Sequence, residues 1–597
     1  MAKRQPTPRT KRKILPGKQA QAGALQLRSY DVGALPLLWN IVKRMKLKEI
    51  LDEHLPKDDP RTELPTVTAL LVLFANLLMA REPVYGVGEW AALFPPDLLG
   101  LRDDDLPRLN DDRIGRGLDR IFEGVGPALI MAVVRHVIAE FNVSLDELHN
   151  DSTTVSFYGA YDEAGVESEQ RGRRTLAITY GHSKARRPDL KQLLYILTVT
   201  SDGNVPVYYT SASGNTADDR THIGTWDLLH ELVGHAGFLY VADCKLASSE
   251  NLRHIAARGG RFITVLPRGR TEDAAFRQRL RATPALLKWT LLYTVSTDPG
   301  PPGNETAAED PEEIVDALSV CTDEEVHSEG YRLLWYRSTR KAEQDQARRA
   351  RSIQKAIAGL SDLRERLQGA RTRFRERSKV DVAMAAVLAE TEAGAFLEVA
   401  VEEQEEETFR QATRGRPSAQ TKYVKETRSR FTLTWTLNLA ALGEAEREDG
   451  VFPLLTNDRT LSALEVLQAY KRQPFLEKRF TQFKTDFAVA PVYLKNVSRI
   501  QGLLGAYFFA LVIQTLVERE LRGAMSGAGM ATLALYPEDR ACARPTVHRL
   551  IEVFSSIQRH EIRAPEGEAQ VLVTDLTETQ RTVIGLLGLD PRTYGRP

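Results

Sequence analysis

Three carboxylates stand at positions where an acid needs a reason. Asp151 lies within LHNDSTTVSFYG, where the run Leu148 to Tyr158 is rich in apolar and β-branched residues and reads as a strand. A carboxylate inside a strand costs desolvation unless a cation compensates, so this position asks for a metal ion or an arginine. Asp243 ends the apolar run Phe238 to Ala242 in GFLYVADCKLASSENL. That run suits a central buried strand, and open α/β sheets carry their sites at the C-terminal ends of such strands. A helix N-cap would also explain Asp243, but Ser248 and Ser249 already stand before the next helix. The third acid lies in LQAYKRQPFLEKRFTQFKTDF, where Tyr470, Glu477 and Lys484 are seven residues apart. On one α-helix that spacing puts all three on nearly the same face. Phe475, Leu476, Phe480, Phe483 and Phe487 supply the neighbouring apolar face, so the helix is expected to pack on a core beside those polar groups.

The elements that must position these acids can be read from periodicity. Leu35 to Leu51, Leu64 to Met79 and Asp111 to Ile138 carry apolar residues at helical spacing, which predicts a helical N-terminal domain over 31–142. Its Arg113, Arg116 and Arg120 are better explained as a solvated helix face than as a phosphate dock. From Leu145 the texture changes to short apolar runs: Leu148 to Tyr158, Leu193 to Thr200, Val205 to Thr210, Phe238 to Ala242 and Phe262 to Leu266. Asp202-Gly203 is a hairpin turn between the second and third. Helices at Thr221 to Leu232 and Ser248 to Ala257 separate the later runs. This order describes an α/β fold with a mixed sheet.

Residues 143–270 and 441–530 carry the three acids and flank a long insert over 271–440. In the insert, strands are expected at Trp289 to Val295, Arg332 to Tyr336, Ala395 to Val401 and Phe431 to Leu437. Ser338 to Gln368 is a long helix with a basic outer face, and the acidic run Glu402 to Glu407 reads as a solvated loop. Leu442 to Leu455 has strand texture, and Leu461 to Phe487 and Val497 to Arg522 are strong helices. A C-terminal extension over 531–597 carries no readable chemistry.

Composition narrows the partners. Lys+Arg and Asp+Glu are both 80, so only local charge can point to a polyanion. Met1 to Lys18 contains seven cations and no acid, within a basic disordered tail over 1–30 that should be attracted to nucleic acid. Three cysteines, Cys244, Cys321 and Cys542, are too few and too scattered for a disulfide framework or a thiolate zinc site. The richest apolar stretch, Ile500 to Val517, is interrupted by Gln501, Gly502, Gly505 and Gln514 and reads as a buried helix. No membrane partner is expected, and the expected location is cytoplasmic and nucleoid-associated.

Taken together, these motifs resemble the insertion-sequence transposases of the DDE class. The likeness is to the branch whose third acid sits in Tyr, two residues, Arg, three residues, Glu, six residues, Lys. Tyr470, Gln473, Glu477 and Lys484 fall at those spacings, with Gln473 in place of the Arg and Arg472 and Arg479 nearby. The segment GHSKARRPDLKQLLYILTVTSDGNVPVYYTSASGNTADDRT is similar to the stretch between the first two acids of that branch. The resemblance implies a ribonuclease H-like catalytic core with a large insertion, and catalytic and metal-holding roles for Asp151, Asp243 and Glu477. It implies two Mg2+ ions, replaceable by Mn2+, which clamp the attacking and leaving oxygens of an in-line displacement. Tyr470, Gln473, Lys484, Arg472, Arg479, Lys184 and Arg187 would contact DNA. The implied partners are terminal inverted repeats, target DNA and a second copy of the chain in a synaptic complex. Two other readings share the acids: a ribonuclease H-like nuclease without strand transfer, and a DNA-binding derivative that no longer cuts.

Overall fold

The computed structural model describes residues 26–296, 314–322, 325–369, 372–487, 489, 492–563 and 570–595. The basic segment Met1 to Lys18 lies outside them. The chain is mixed α/β and divides into two compact units, residues 1–240 with 472–597, and residues 241–471. These limits differ from the core and insert boundaries at 270/271 and 440/441 expected from the sequence.

In the first unit the N-terminal helices are Leu35–Arg44, Leu47–His54, Thr66–Met79, Asp111–Gly124 and Pro127–Phe141. The pattern over Leu35 to Leu51 is two helices because Lys46 adopts a left-handed φ of +46°. The pattern over Asp111 to Ile138 is also two, since Pro127 opens the second and cannot donate a helical hydrogen bond to the first. Arg113, Arg116 and Arg120 are matched by Asp58, Asp112 and Glu123 at 3.4, 3.1 and 3.0 Å.

Leu35–Arg44, Thr66–Met79 and Asp111–Gly124 pack against Val497–Gly527, which is long and apolar enough to cross a membrane, yet 94% of its most apolar window is buried inside the protein. Its approach to Asp111–Gly124 is close. A Cβ on Gly502 would collide with the carbonyl oxygen of Leu118, so glycine is required there. The strands follow the order Pro206–Ser213, Lys191–Thr200, Glu147–Phe157 and then the start of Leu239–Ala242. The first three are antiparallel, with Asp151 opposite Leu197.

The expected tail over 1–30 is shortened by a strand at Gln26–Asp31, which pairs antiparallel with Gln558–Arg563, itself paired with Gln570–Val573. The C-terminal extension is thus stitched to the N-terminal strand by backbone hydrogen bonds, which no local pattern announces.

In the second unit the strand order is the end of Leu239–Ala242, then Arg261–Val265, Val451–Thr456, Arg332–Ser338, Ile314–Cys321 and Trp289–Ser296. Strands assigned to the insert therefore extend the same sheet as strands assigned to the core. A separate apolar cluster joins Ile353, Leu360, Leu363 and Leu367 of helix Thr339–Gln368 to Val380 of helix Arg377–Thr391 and to Leu397, Phe431 and Leu433. Glu402 to Glu407 is not a loop. It lies inside strand Leu397–Gln411, paired along its whole length with Tyr423–Leu437, where Arg430 and Lys425 answer Glu406 and Glu407. Leu442 to Leu455 is part helix, Leu439–Glu448, and part strand, Val451–Thr456, because Asp449-Gly450 ends the helix with Gly450 at φ +76°.

Candidate functional site

Side chains alternate along a strand, so Glu147, His149 and Asp151 share one face of Glu147–Phe157. Glu147 and His149 are buried there and would be costly without partners. Arg472 donates through Nε to Glu147 at 2.6 Å, and its Nη2 reaches the second carboxylate oxygen. The His149 ring bridges Glu147 Oε1 at 2.7 Å and Gln473 Oε1 at 2.8 Å. Gln473 Nε2 then donates to the carbonyl of Asn150 at 3.0 Å. Burial alone would push the Glu147 carboxyl up, but the hydrogen bonds from His149 and Arg472 outweigh it and hold the group at about 2. This polar clamp fastens helix Gln473–Thr481, which carries Glu477, to the strand that carries Asp151. Glu477 is exposed, one turn beyond Gln473.

Asp151 is partly exposed and faces an ammonium group. Lys184 Nζ lies 3.1 Å from an Asp151 oxygen and 3.1 Å from an Asp218 oxygen, and it also donates to the Ser152 carbonyl and hydroxyl at 2.8 and 2.7 Å. Burial disfavours the Lys184 charge, but the two carboxylates more than restore it and raise its pKa. Asp151 Oδ1 also accepts from the Ser152 amide at 2.6 Å. Lys484 is nearby in charge terms. Loss of surrounding water and then the Lys184 ammonium lower its pKa, against the pull of Asp151. Two carboxylates converging on one cation is a hard oxygen donor set of the kind that divalent ions take. Among the described residues, no group of three or more His, Cys, Asp or Glu side chains is arranged to hold a metal ion.

The helix expected over Leu461 to Phe487 is interrupted. Helix Ala463–Lys471 ends in the second unit, helix Gln473–Thr481 follows in the first, and Gln482–Asp486 is wound as a π-helix. Tyr470, Glu477 and Lys484 therefore do not project from one continuous α-helical face, because a break and a wider turn alter the phase between them. Pro474, near the start of the second helix, lacks the amide that would continue the first. The π-turn is held by Phe483, which stacks on Tyr195 at 4.4 Å and meets Tyr507 edge-on at 5.5 Å. Leu476, Phe480, Phe483 and Phe487 are buried, as their spacing suggested.

Asp243 belongs to the second unit, half-buried at the C-terminal end of strand Leu239–Ala242. Its carboxylate accepts from the Lys245 amide at 2.9 Å and caps the short turn Cys244–Leu246, while its carbonyl accepts from Thr264 Oγ1 at 2.6 Å. Ser248 separately caps the next helix by accepting from Asn251. Asp243 thus has a capping role of its own, beyond the one that Ser248 fills.

Of the seven residues expected to contact DNA, Tyr470 lies half-buried on helix Ala463–Lys471 of the second unit, and the other six fall into two groups. Gln473, Arg472 and Arg479 are built into the fold: the first two form the clamp, and Arg479 is buried against Glu518 at 3.0 Å and Gln482 at 2.6 Å. Their polar groups are taken up by protein partners. Lys184, Arg187 and Lys484 lie nearer the surface, with Arg187 paired to Asp189 at 2.6 Å and stacked over Tyr158. Sequence reasoning missed Glu147, His149 and Asp218. The first two were detectable, because they precede Asp151 at steps of two in ELHND and so share its strand face. Asp218 sits in a turn far along the chain, and only the fold brings it to Lys184.

Residues 27–134 match the model of a domain of unknown function, DUF4277. No curated protein matches the chain. Among solved structures, the chain is similar to one titled as the cryo-EM structure of the piggyBac transposase synaptic complex with hairpin DNA, at 11% identity and a TM-score of 0.22. The match covers 48% of this chain and 55% of that one, a likeness too slight to carry an argument about fold or activity.

Proposed function

We propose that this chain is a DNA transposase that binds the ends of a mobile element and cuts and rejoins them by in-line phosphoryl transfer on a ribonuclease H-like core. The observation that supports this most is the clamp of Glu147, His149, Arg472 and Gln473, which fastens the helix bearing Glu477 to the strand bearing Asp151. A buried polar network of that kind is expensive and suits a site whose flanking acids must be held rigidly. Asp151, Asp243 and Glu477 would hold divalent cations, Mg2+ by preference. When bound, such ions stabilise the attacking and leaving oxygens of the displacement.

The chain's own residues have separate tasks. Lys184 neutralises Asp151 and Asp218 before substrate arrives, and a DNA phosphate then competes for its ammonium group and releases the carboxylates. Lys484, beside them, steadies the phosphate next to the scissile bond. Water is the first nucleophile, and the freed 3′ hydroxyl is the second.

Asp243→Asn tests this reading. Asparagine keeps an oxygen to accept from the Lys245 amide, so the local turn survives, but it removes the charge that would hold a cation. Gel-shift affinity for a terminal-repeat duplex should be unchanged or slightly tighter, while magnesium-dependent cutting should collapse. Cutting at near-parental rate would refute the assignment. Strand transfer with pre-cut ends distinguishes a transposase from a plain nuclease of the same core.

A further inference from the structure

We propose that the tip of the long β-ribbon in the second unit is a DNA-contacting element that places Arg414 and Arg416 in the minor groove of A·T-rich duplex. The ribbon strands Leu397–Gln411 and Tyr423–Leu437 pair without a register shift from Leu397 opposite Leu437 to Gln411 opposite Tyr423. At ~3.3 Å per residue each strand is on the order of 50 Å long. Among the described residues, the base of the ribbon packs on the neighbouring helices through Leu397, Phe431 and Leu433. From Glu402 to Gln411 no side chain is buried. An isolated two-stranded ribbon has no core to justify such an extension, so the extension itself needs a partner.

Charge identifies the part that makes contact. Along the body, cations are matched by acids: Arg430 with Glu406 at 2.6 Å, Arg410 with Glu426 at 3.3 Å and Arg428 with Glu426 at 2.8 Å. With seven acids to four cations over its two strands, the body is net acidic and repels phosphates. The tip is different. Thr408 to Lys425 contains no acid, and among the described residues Arg414, Arg416 and Lys422 form no ion pair and are exposed.

The tip sequence Arg414-Gly415-Arg416-Pro417 also has a shape. Pro417 biases Arg416 toward extended backbone. Gly415 sits at φ +158° with open space where a Cβ would be. A bond between the Ser418 amide and Thr421 Oγ1 at 2.7 Å closes the rest of the loop. An extended stretch without a central side chain can lie along the floor of a narrow groove while its two arginines run to either side. The A·T minor groove is narrow and strongly negative, and it lacks the guanine amino group that would obstruct such a stretch. The wide, shallow minor groove of duplex RNA offers no such fit.

This inference takes its partner class from the transposase reading, but it is tested by binding alone. The full chain is titrated in EDTA, at one fixed salt concentration, with fluorescent duplexes carrying an A·T tract, a G·C tract, or an I·C tract, which removes the minor-groove amino group and preserves the pairing. The A·T and I·C duplexes should bind about tenfold more tightly than G·C. The double variant Arg414→Ala/Arg416→Ala, whose lost side chains form no ion pair among the described residues, should bind all three within twofold. Equal binding of A·T and G·C by the parent, I·C behaving like G·C, or an undiminished preference in the variant would each overturn the proposal. No cutting is required, so these results stand apart from those of Asp243→Asn.

Discussion

Replacing Glu147 by glutamine tests whether the clamp is held by charge as well as by shape. The carboxyl is held at about 2 against an ordinary value of 4.5, through His149 and Arg472 and despite burial. A shift of that size corresponds to roughly 3 kcal/mol at neutral pH, on the order of a hundredfold in a local opening equilibrium. Because the folded value is depressed, this stability is fully present above pH 4.5 and is lost as the pH falls toward 2. With these two values, roughly 1.4 kcal/mol is already gone at pH 3.5. Glutamine keeps the size and one acceptor oxygen but has no charge to lose.

The assay is amide hydrogen exchange of peptides covering Gln473–Thr481, corrected for intrinsic rates, between pH 6 and 3.5. In the variant these amides should exchange about a hundredfold faster than in the parent at pH 6, and the gap should narrow about tenfold by pH 3.5. A gap that stays constant over that range would show that Glu147 contributes shape alone. An unchanged rate at pH 6 would show that the helix is fastened by its apolar face and not by the clamp.

Three other outcomes follow from the geometry. Glu518→Ala strands the buried Arg479, whose side chain is 4% exposed, and should cost roughly 3 to 5 kcal/mol in denaturant titration, whereas Arg479→Met/Glu518→Leu together should recover most of it. Lys184→Gln should weaken DNA binding similarly for all sequences and reduce the salt slope of log affinity by about one, read from binding at several salt concentrations. Gly502→Ala drives a methyl into the Leu118 carbonyl and should lower stability by roughly 1 to 3 kcal/mol without changing the groove preference of the ribbon.

Residue order alone determined much of the local structure, because period-two and period-3.6 patterns depend only on neighbours. The strands around Asp151 and Asp243 were legible to within two or three residues at each end, as were the helices at His222–Val233 and Ser249–Ala257 and the burial of Val497–Gly527. The apolar face of the segment carrying Glu477 was legible too, since phenylalanines at helical spacing pack inward wherever the helix lies.

What depended on distant partners was not legible. Gln473 looked like a departure from a DNA-contacting arginine, and only tertiary structure shows it bonded to His149 and Asn150, more than three hundred residues earlier. Arg472 and Arg479 looked available to phosphate until Glu147 and Glu518 were brought against them. The acid-rich stretch Glu402 to Glu407 read as a loop because its charges are stabilised by cations on another strand, and cross-strand pairing leaves no trace in local periodicity. The strand at Gln26–Asp31 likewise exists only because Gln558–Arg563 completes its hydrogen bonds. A backbone pattern can be read from one segment, whereas the partner that satisfies a buried or strand-borne charge is chosen by the fold.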